Sequence, residues 1–307
     1  MRVPAGQARH ARLATLLLVC VTAVWGSTFF LIHDLVEHVP PADFLAVRFG
    51  IAALVMFAVF RRQTLALTRH QLRVGVVLGV LYGVAQVLQT TGLQHTDASV
   101  SGFITGTYVV LTPVFSALLL RERVPASTWG AVALATLGLA VLSLRGGLSI
   151  GVGETLTLVA AAVYALHILG LGRWSTPAHA TGLAAVQMVA IALVCVPSAL
   201  PGGIVLPSSG GQWAAVLYMA TAAGVLALWV QTWAQARMSA TRAAIVMTLE
   251  PVFAALFAVV AGQEPLTWRM VVGGILVLAA MYVVELRAAV RRRTGEPSSE
   301  TLHHEVT

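Results

Sequence analysis

The chain is a succession of long apolar runs broken by short polar or turn-forming stretches. A helix needs about 20 mainly apolar residues to cross a hydrocarbon core about 30 Å thick. Ten stretches meet that requirement: 13–33, 43–60, 72–93, 98–120, 127–144, 154–172, 180–200, 212–234, 240–262 and 266–286. Turn residues or charges stand in the breaks, among them Pro40-Pro41, Arg61-Arg62, Gly146-Gly147 and the segment from Pro201 to Gly211. The runs 43–60 and 127–144 are the shortest, close to the lower limit for spanning. Because the runs are continuously apolar and do not alternate, the pattern argues against a β-barrel. The expected fold is all-α and integral to a membrane.

The pattern also repeats. Ala23-Val24-Trp25 recurs as Ala162-Val163-Tyr164, and Ala46-Val47-Arg48 as Ala185-Val186-Gln187, both at a spacing of 139. Gln89-Thr90 matches Gln231-Thr232 and Ala98 matches Ala240 at 142, and Pro113-Val114-Phe115 matches Pro251-Val252-Phe253 at 138. Each copy holds five spans, an odd number, so the second enters from the opposite side. The expectation is ten transmembrane helices as two inverted five-helix repeats, 13–144 and 154–286. They would be flanked by a cytoplasmic arm, 1–12, and a basic, disordered tail, 287–307. Inverted repeats of this kind serve alternating-access transporters, with the substrate site near the midplane.

Composition sharpens this picture. Hydrophobic residues make up 58% of the chain and charged ones 10%, against roughly 45–50% and about 25% in soluble domains. Such a chain cannot cover itself with charge, which excludes an ordinary soluble enzyme. Its net charge of +7 could suggest nucleic acid, but the arginines record topology instead. With the N-terminus inside, all except Arg48, Arg145 and Arg269 fall on the cytoplasmic side, as the positive-inside rule requires. Both termini are therefore expected in the cytoplasm, and nucleic acid is not an expected partner. The first run has arginines ahead of an apolar core like a signal peptide, but it is too long and has no small-residue cleavage site before Asp34. Cys20 and Cys195 lie within apolar runs without metal-ligand spacing, and read as buried small hydrophobes.

At this point the residues resemble the EamA family of the drug/metabolite transporter superfamily. The resemblance is carried by Val24-Trp25-Gly26-Ser27-Thr28-Phe29, Val47-Arg48-Phe49, Val109-Val110-Leu111-Thr112-Pro113-Val114-Phe115 and Leu249-Glu250-Pro251-Val252-Phe253-Ala254-Ala255-Leu256. Gln231-Thr232-Trp233-Ala234-Gln235 also fits, so that the likeness covers residues 13 to 286. It implies a ten-helix plasma-membrane permease for small organic solutes, often working outward. One departure is visible: the proline of the fourth span is shifted a turn relative to that of the ninth, so residues there cannot be mapped by symmetry.

Ionisable groups within spans are costly and usually face a bundle interior or a water-filled cavity. Glu250 stands ten residues into its span, about 15 Å deep at 1.5 Å per residue, with Pro251 freeing a backbone carbonyl beside it. It is the leading substrate or coupling candidate; a protonated or paired structural carboxyl is the competing reading. Arg48, about 7–8 Å from the outer face, is either a snorkelling side chain or an anion clamp. Gln86 and Gln89 share one helix face, and Gln187, Gln231 and Gln235 add amides in the second repeat; interhelical bonding is the commoner use of such groups. Trp25 and Tyr164 fall at mid-depth, away from the interfacial aromatic belts. Tyr108, Thr105, Tyr82 and Trp229 occupy the same zone, and His167 could relay protons or simply pack. Gly75, Gly79 and Gly83 form a close-packing face.

The spacing shows no P-loop, nucleophile elbow or HExxH; neither cofactor nor metal is expected. The function expected is secondary transport by alternating access, exporting a small metabolite, amino-acid-like or drug-like solute, with protons as candidate coupling ions. Lipid is the surrounding partner, and monomer and homodimer both stay open. An integral-membrane lipid-processing enzyme would need clustered catalytic groups at an interface, and a non-transporting scaffold would need docking loops.

Overall fold

A computed structural model describes residues 5–36, 38–96, 98–122, 124–143, 151–200, 203–260 and 265–294. These residues are helical, with no strand among them. In chain order the helices are α1 (Ala5–Gly26), α2 (Thr28–Val36), α3 (Pro41–Leu65), α4 (Arg69–Leu93), α5 (Ala98–Gly106), α6 (Tyr108–Leu119) and α7 (Ala126–Ser143). They continue as α8 (Val152–Trp174), α9 (Ala180–Ala199), α10 (Gly210–Ala220), a π-helical segment (Thr221–Leu226), α11 (Ala227–Gln235), α12 (Ala240–Met247), α13 (Glu250–Val260) and α14 (Trp268–Thr294).

Seven helical stretches are long and apolar enough to cross a membrane: α3, α4, 101–119, α8, α9, the run from α10 through α11, and 240–257. Shorter apolar stretches, Arg12–Gly26, Ala126–Val141 and Trp268–Val284, fall on three further expected spans. The expected short run 43–60 is in fact a 25-residue helix, because Pro41 starts it two residues early and it continues past Arg61-Arg62. Thr68 and Gln71 form a reciprocal capping box at the start of α4, and Ser209 and Gln212 form another at α10. α1 begins at Ala5 and α14 runs through Thr294, so much of the expected arm and the first part of the expected tail are helical. Residues 295–307 lie outside the described residues.

Three of the expected spans are interrupted. α1 gives way to α2 at Ser27, whose hydroxyl donates to Val24 O. α5 gives way to α6 at Thr107, which bonds Ile104 O, and α12 to α13 at Thr248-Leu249, with Thr248 bonding Ile245 O. Hydroxyls that bond back into the preceding turn compete with the helix ladder. Pro113 lies inside α6, six residues after its break, whereas Pro251 directly follows the second break.

Helix packing exchanges partners between the two parts of the chain. α3 lies along α9 and α7 along α14; α4 packs on α8 as α1 packs on α11; α5 and α6 pack on α8 as α12 and α13 pack on α1. The α4–α9 seam uses the glycine face. A Cβ on Gly79 would stand 2.5 Å from Gln187 O and 2.6 Å from the Ala190 Cβ, so only glycine lets the backbones meet. We expect Gly79→Ala to cost about 1–3 kcal/mol through overpacking, read as a lower melting midpoint of purified protein in detergent. Gly50→Ala, where nothing lies within 4 Å, should melt at or above the parent, since alanine is the better helix former by roughly 0.5–1 kcal/mol. Large side chains such as Leu54, Leu118, Leu193 and Val260 are exposed around the outside, as a lipid-facing surface requires. Cys20 belongs to that exposed set, contrary to its expected burial; Cys195 is buried.

Candidate functional site

The interrupted helices converge on one cavity. Both parts of the chain line it. From the first come Trp25, Thr28, Ile32, Arg48, Tyr82, Gln86, Gln89 and Thr105; from the second, Tyr164, His167, Gln231, Met247 and Glu250. The first residues of the two later half-helices, Tyr108 of α6 and Glu250 of α13, both face it. Its lining includes Ile32 and Leu93, near the ends of α2 and α4, and also Ile168 and Gln231.

Arg48 does not snorkel. It is buried, its Nε donates to Met219 O at 3.3 Å, and its guanidinium carbon lies 4.8 Å from the Phe49 ring centroid and 5.8 Å from that of Phe44. Trp25 Nε1 donates to Ala223 O at 3.0 Å. Ala223 belongs to the π-helical segment and Met219 stands two residues before it in α10, where a π-bulge commonly marks a working position. Ser27 and Tyr218 share a 2.6 Å hydroxyl bond that ties the α1–α2 break to α10.

Glu250 opens α13 and makes no hydrogen bond or ion pair among the described residues. Gly26 packs against its backbone, with a hypothetical Cβ 2.8 Å from Glu250 O. Tyr82 and Tyr164 line the cavity together with Arg48 and Glu250. Their rings meet edge-on at 5.5 Å, and Tyr82 meets His167 at 5.1 Å. The Tyr164 hydroxyl donates to Gln89 Oε1 at 2.9 Å, and Gln89 Nε2 donates to Thr105 Oγ1 at 2.9 Å.

Behind this lining lies a polar network. His167 Nε2 bonds Gln187 Oε1 at 2.9 Å, Gln187 Nε2 reaches Thr232 Oγ1 at 3.3 Å, and Gln235 Nε2 donates to Ile168 O at 2.9 Å. Of the residues singled out in the sequence, Gln187 therefore supports the cavity wall without facing it. Trp229 is elsewhere altogether: it stacks on Phe60 at 6.0 Å and donates to Thr181 Oγ1 at 3.1 Å. Thr28, Ile32, Thr90, Leu93, Ile168 and Met247 line the cavity without having been singled out. Their only sequence signal is helical spacing from the polar candidates, which lipid-facing residues share. Among the described residues no cluster of His, Cys, Asp or Glu could hold a metal ion.

Comparison with known proteins places this geometry. The EamA-like transporter family matches residues 12–144 and again 151–286. A protein of Archaeoglobus fulgidus named as an uncharacterized transporter is 32% identical over 274 residues, covering 89% of this chain and 86% of that protein. The pseudopaline exporter CntI of Pseudomonas aeruginosa is 26% identical, covering 82% of this chain and 90% of its own. A protein of Escherichia coli named as the uncharacterized inner membrane transporter YedA is also 26% identical, covering 87% of this chain and 89% of its own. A crystal structure at 19% identity superposes with a TM-score of 0.75, covering 93% of this chain and 99% of the other, and so shares the fold.

Proposed function

Because the chain belongs to the EamA-like transporter family, we propose that it is an alternating-access secondary transporter that exports a small amino-acid-like or drug-like solute across the plasma membrane. One observation carries this reading: a single cavity, lined from both repeats, holds a buried arginine and a carboxylate without an ionic partner among the described residues. A solute bearing an anionic and a cationic group would satisfy both charges at once. The guanidinium's planar fork suits a carboxylate or similar anion, and Glu250 suits a cation or a proton.

Interrupted helices at matched places support the mechanism. Tyr108 and Glu250, each first in its half-helix, have the same spacing of 142 as Gln89 and Gln231. Discontinuous helices in corresponding positions of two inverted repeats are where transporters bind cargo. The exchanged helix pairings also suit a two-fold relation between the five-span halves. With the arginine-rich side cytoplasmic, Ile32 and Leu93 lie toward the outer ends of α2 and α4, and the Gln187–Gln235 network lies toward the inner ends of α9 and α11.

Uptake or counterflow of labelled solutes by purified protein in liposomes tests the function. Movement of no solute across a broad panel of metabolites, at verified incorporation, would remove it. The orientation is tested separately. A C-terminal reporter should read cytoplasmic, and a single cysteine at Ser208, in a cysteine-free background, should react with an impermeant thiol reagent from outside. A periplasmic C-terminus would require an odd number of spans and would sink the inverted repeat.

A further inference from the structure

Beside the Tyr108 hydroxyl, the buried polar atoms of this cavity without a partner among the described residues are His167 Nδ1 and Gln231 Oε1, and the network behind them fixes both as acceptors. Gln187 Nε2 donates to Leu183 O and to Thr232 Oγ1, so its Oε1 is the atom facing His167. His167 Nε2 must then carry the hydrogen, which leaves Nδ1 of the neutral ring as a bare acceptor. That Nδ1 is buried and has no partner among the described residues. The same logic runs through the second pair. Gln235 Nε2 donates to Ile168 O, its Oε1 accepts from Gln231 Nε2 at 3.2 Å, and Gln231 Oε1 remains, buried and unpartnered.

These atoms belong to one neighbourhood. Ile168, whose carbonyl anchors Gln235, follows His167 in α8. Gln231 Nε2 also touches Met247 Sδ at 3.6 Å, and Met247 ends the half-helix before Glu250. All three side chains, His167, Gln231 and Glu250, line the cavity. A buried acceptor left without a donor is costly, on the order of 1–3 kcal/mol, so a ligand that brings donors is favoured.

We propose that His167 Nδ1, Gln231 Oε1 and the Glu250 carboxylate form a cradle for the primary ammonium group of the transported solute. A primary ammonium carries three N–H donors for three acceptors, whereas a quaternary ammonium carries none. The cradle therefore selects cations by donor count, and a greasy cation that only needs a carboxylate and aromatic walls is the wrong ligand. This deepens the transporter reading and rests on it for the identity of the ligand as cargo, but the test needs no transport.

Purified protein in detergent is melted with butylammonium and with its N-methyl, N,N-dimethyl and N,N,N-trimethyl derivatives, at constant ionic strength against sodium chloride. A ligand that binds only the folded protein raises the midpoint with concentration. Affinity should fall along the series, by about tenfold or more from primary to quaternary, as charge-assisted bonds are removed. Gln231→Leu and His167→Phe should each flatten the series, and Glu250→Gln should abolish stabilisation by every member. Equal or stronger stabilisation by the quaternary ion overturns the cradle, as does stabilisation by none of the four. An unchanged preference in both Gln231→Leu and His167→Phe also overturns it. The series on the parent protein stands alone if a variant fails to fold. Loss of transport in liposomes with the amine preference intact would instead count against the transporter reading.

Discussion

Glu250→Gln protein is expected to insert and fold like the parent, to lose solute transport driven by a pH gradient, and to retain some exchange. Glutamine keeps the volume of the side chain and its ability to accept a hydrogen bond, but it cannot titrate. Nothing among the described residues depends on the carboxylate for a salt bridge, so folding loses little. The residue stands at the start of a half-helix, its backbone against Gly26 of α1, in the cavity that Arg48 also lines. A movement of α13 relative to α1 would carry it between two environments, in which its proton or a substrate cation could be taken up and released. Proteoliposomes with equal protein incorporation, with and without an imposed pH gradient, provide the measurement. Gradient-driven accumulation should fall to the level of empty liposomes. Accumulation equal to the parent at every pH would make Glu250 structural or incidental.

That the decisive carboxylate was visible in the sequence follows from the cost of charge in a membrane. Glu250 and Arg48 are the charged residues farthest from any loop in their spans, and both reach the cavity. The helical class was legible for a related reason: backbone polar groups in hydrocarbon must be satisfied within the segment, which leaves helices for continuously apolar runs. The interruptions were not legible. Proline was the obvious marker, yet Pro113 sits within α6 and the break falls at Thr107. Serine and threonine bond back to the preceding turn at several places where the helix continues, as Thr136 does to Val132 O. Their chemistry permits a break without requiring one. The π segment Thr221–Leu226 has no sequence marker at all; only the side chains of Trp25 and Arg48, brought from far along the chain, supply donors to Ala223 O within it and to Met219 O just before it. Polar type alone also could not separate facing from backing residues. Gln231 and Gln187 are both buried amides, but the partners that turn one toward the cavity and the other toward His167 come from different helices.

Arg48 should give the second large effect, and a divided one. Arg48→Met keeps an unbranched apolar stem beside Phe44 and Phe49 but removes the fork and its charge. Met219 O then loses its side-chain donor beside the π turn, a desolvation penalty of about 1–3 kcal/mol that should appear as a lower melting midpoint. Arg48→Lys restores the charge and a donor without the planar fork, so its stability should recover more than its binding. For a solute with both an ammonium and a carboxylate, affinity should fall on the order of a hundredfold in Arg48→Met, since one partner of a buried charge pair is gone. The same solute stripped of its carboxylate should lose little, because its ammonium still meets Glu250. Equilibrium binding of that matched pair to parent and both variants separates a clamp from a structural arginine. If both solutes weaken equally and only in step with the melting midpoint, Arg48 serves the π turn alone and the anionic end of the substrate is bound elsewhere.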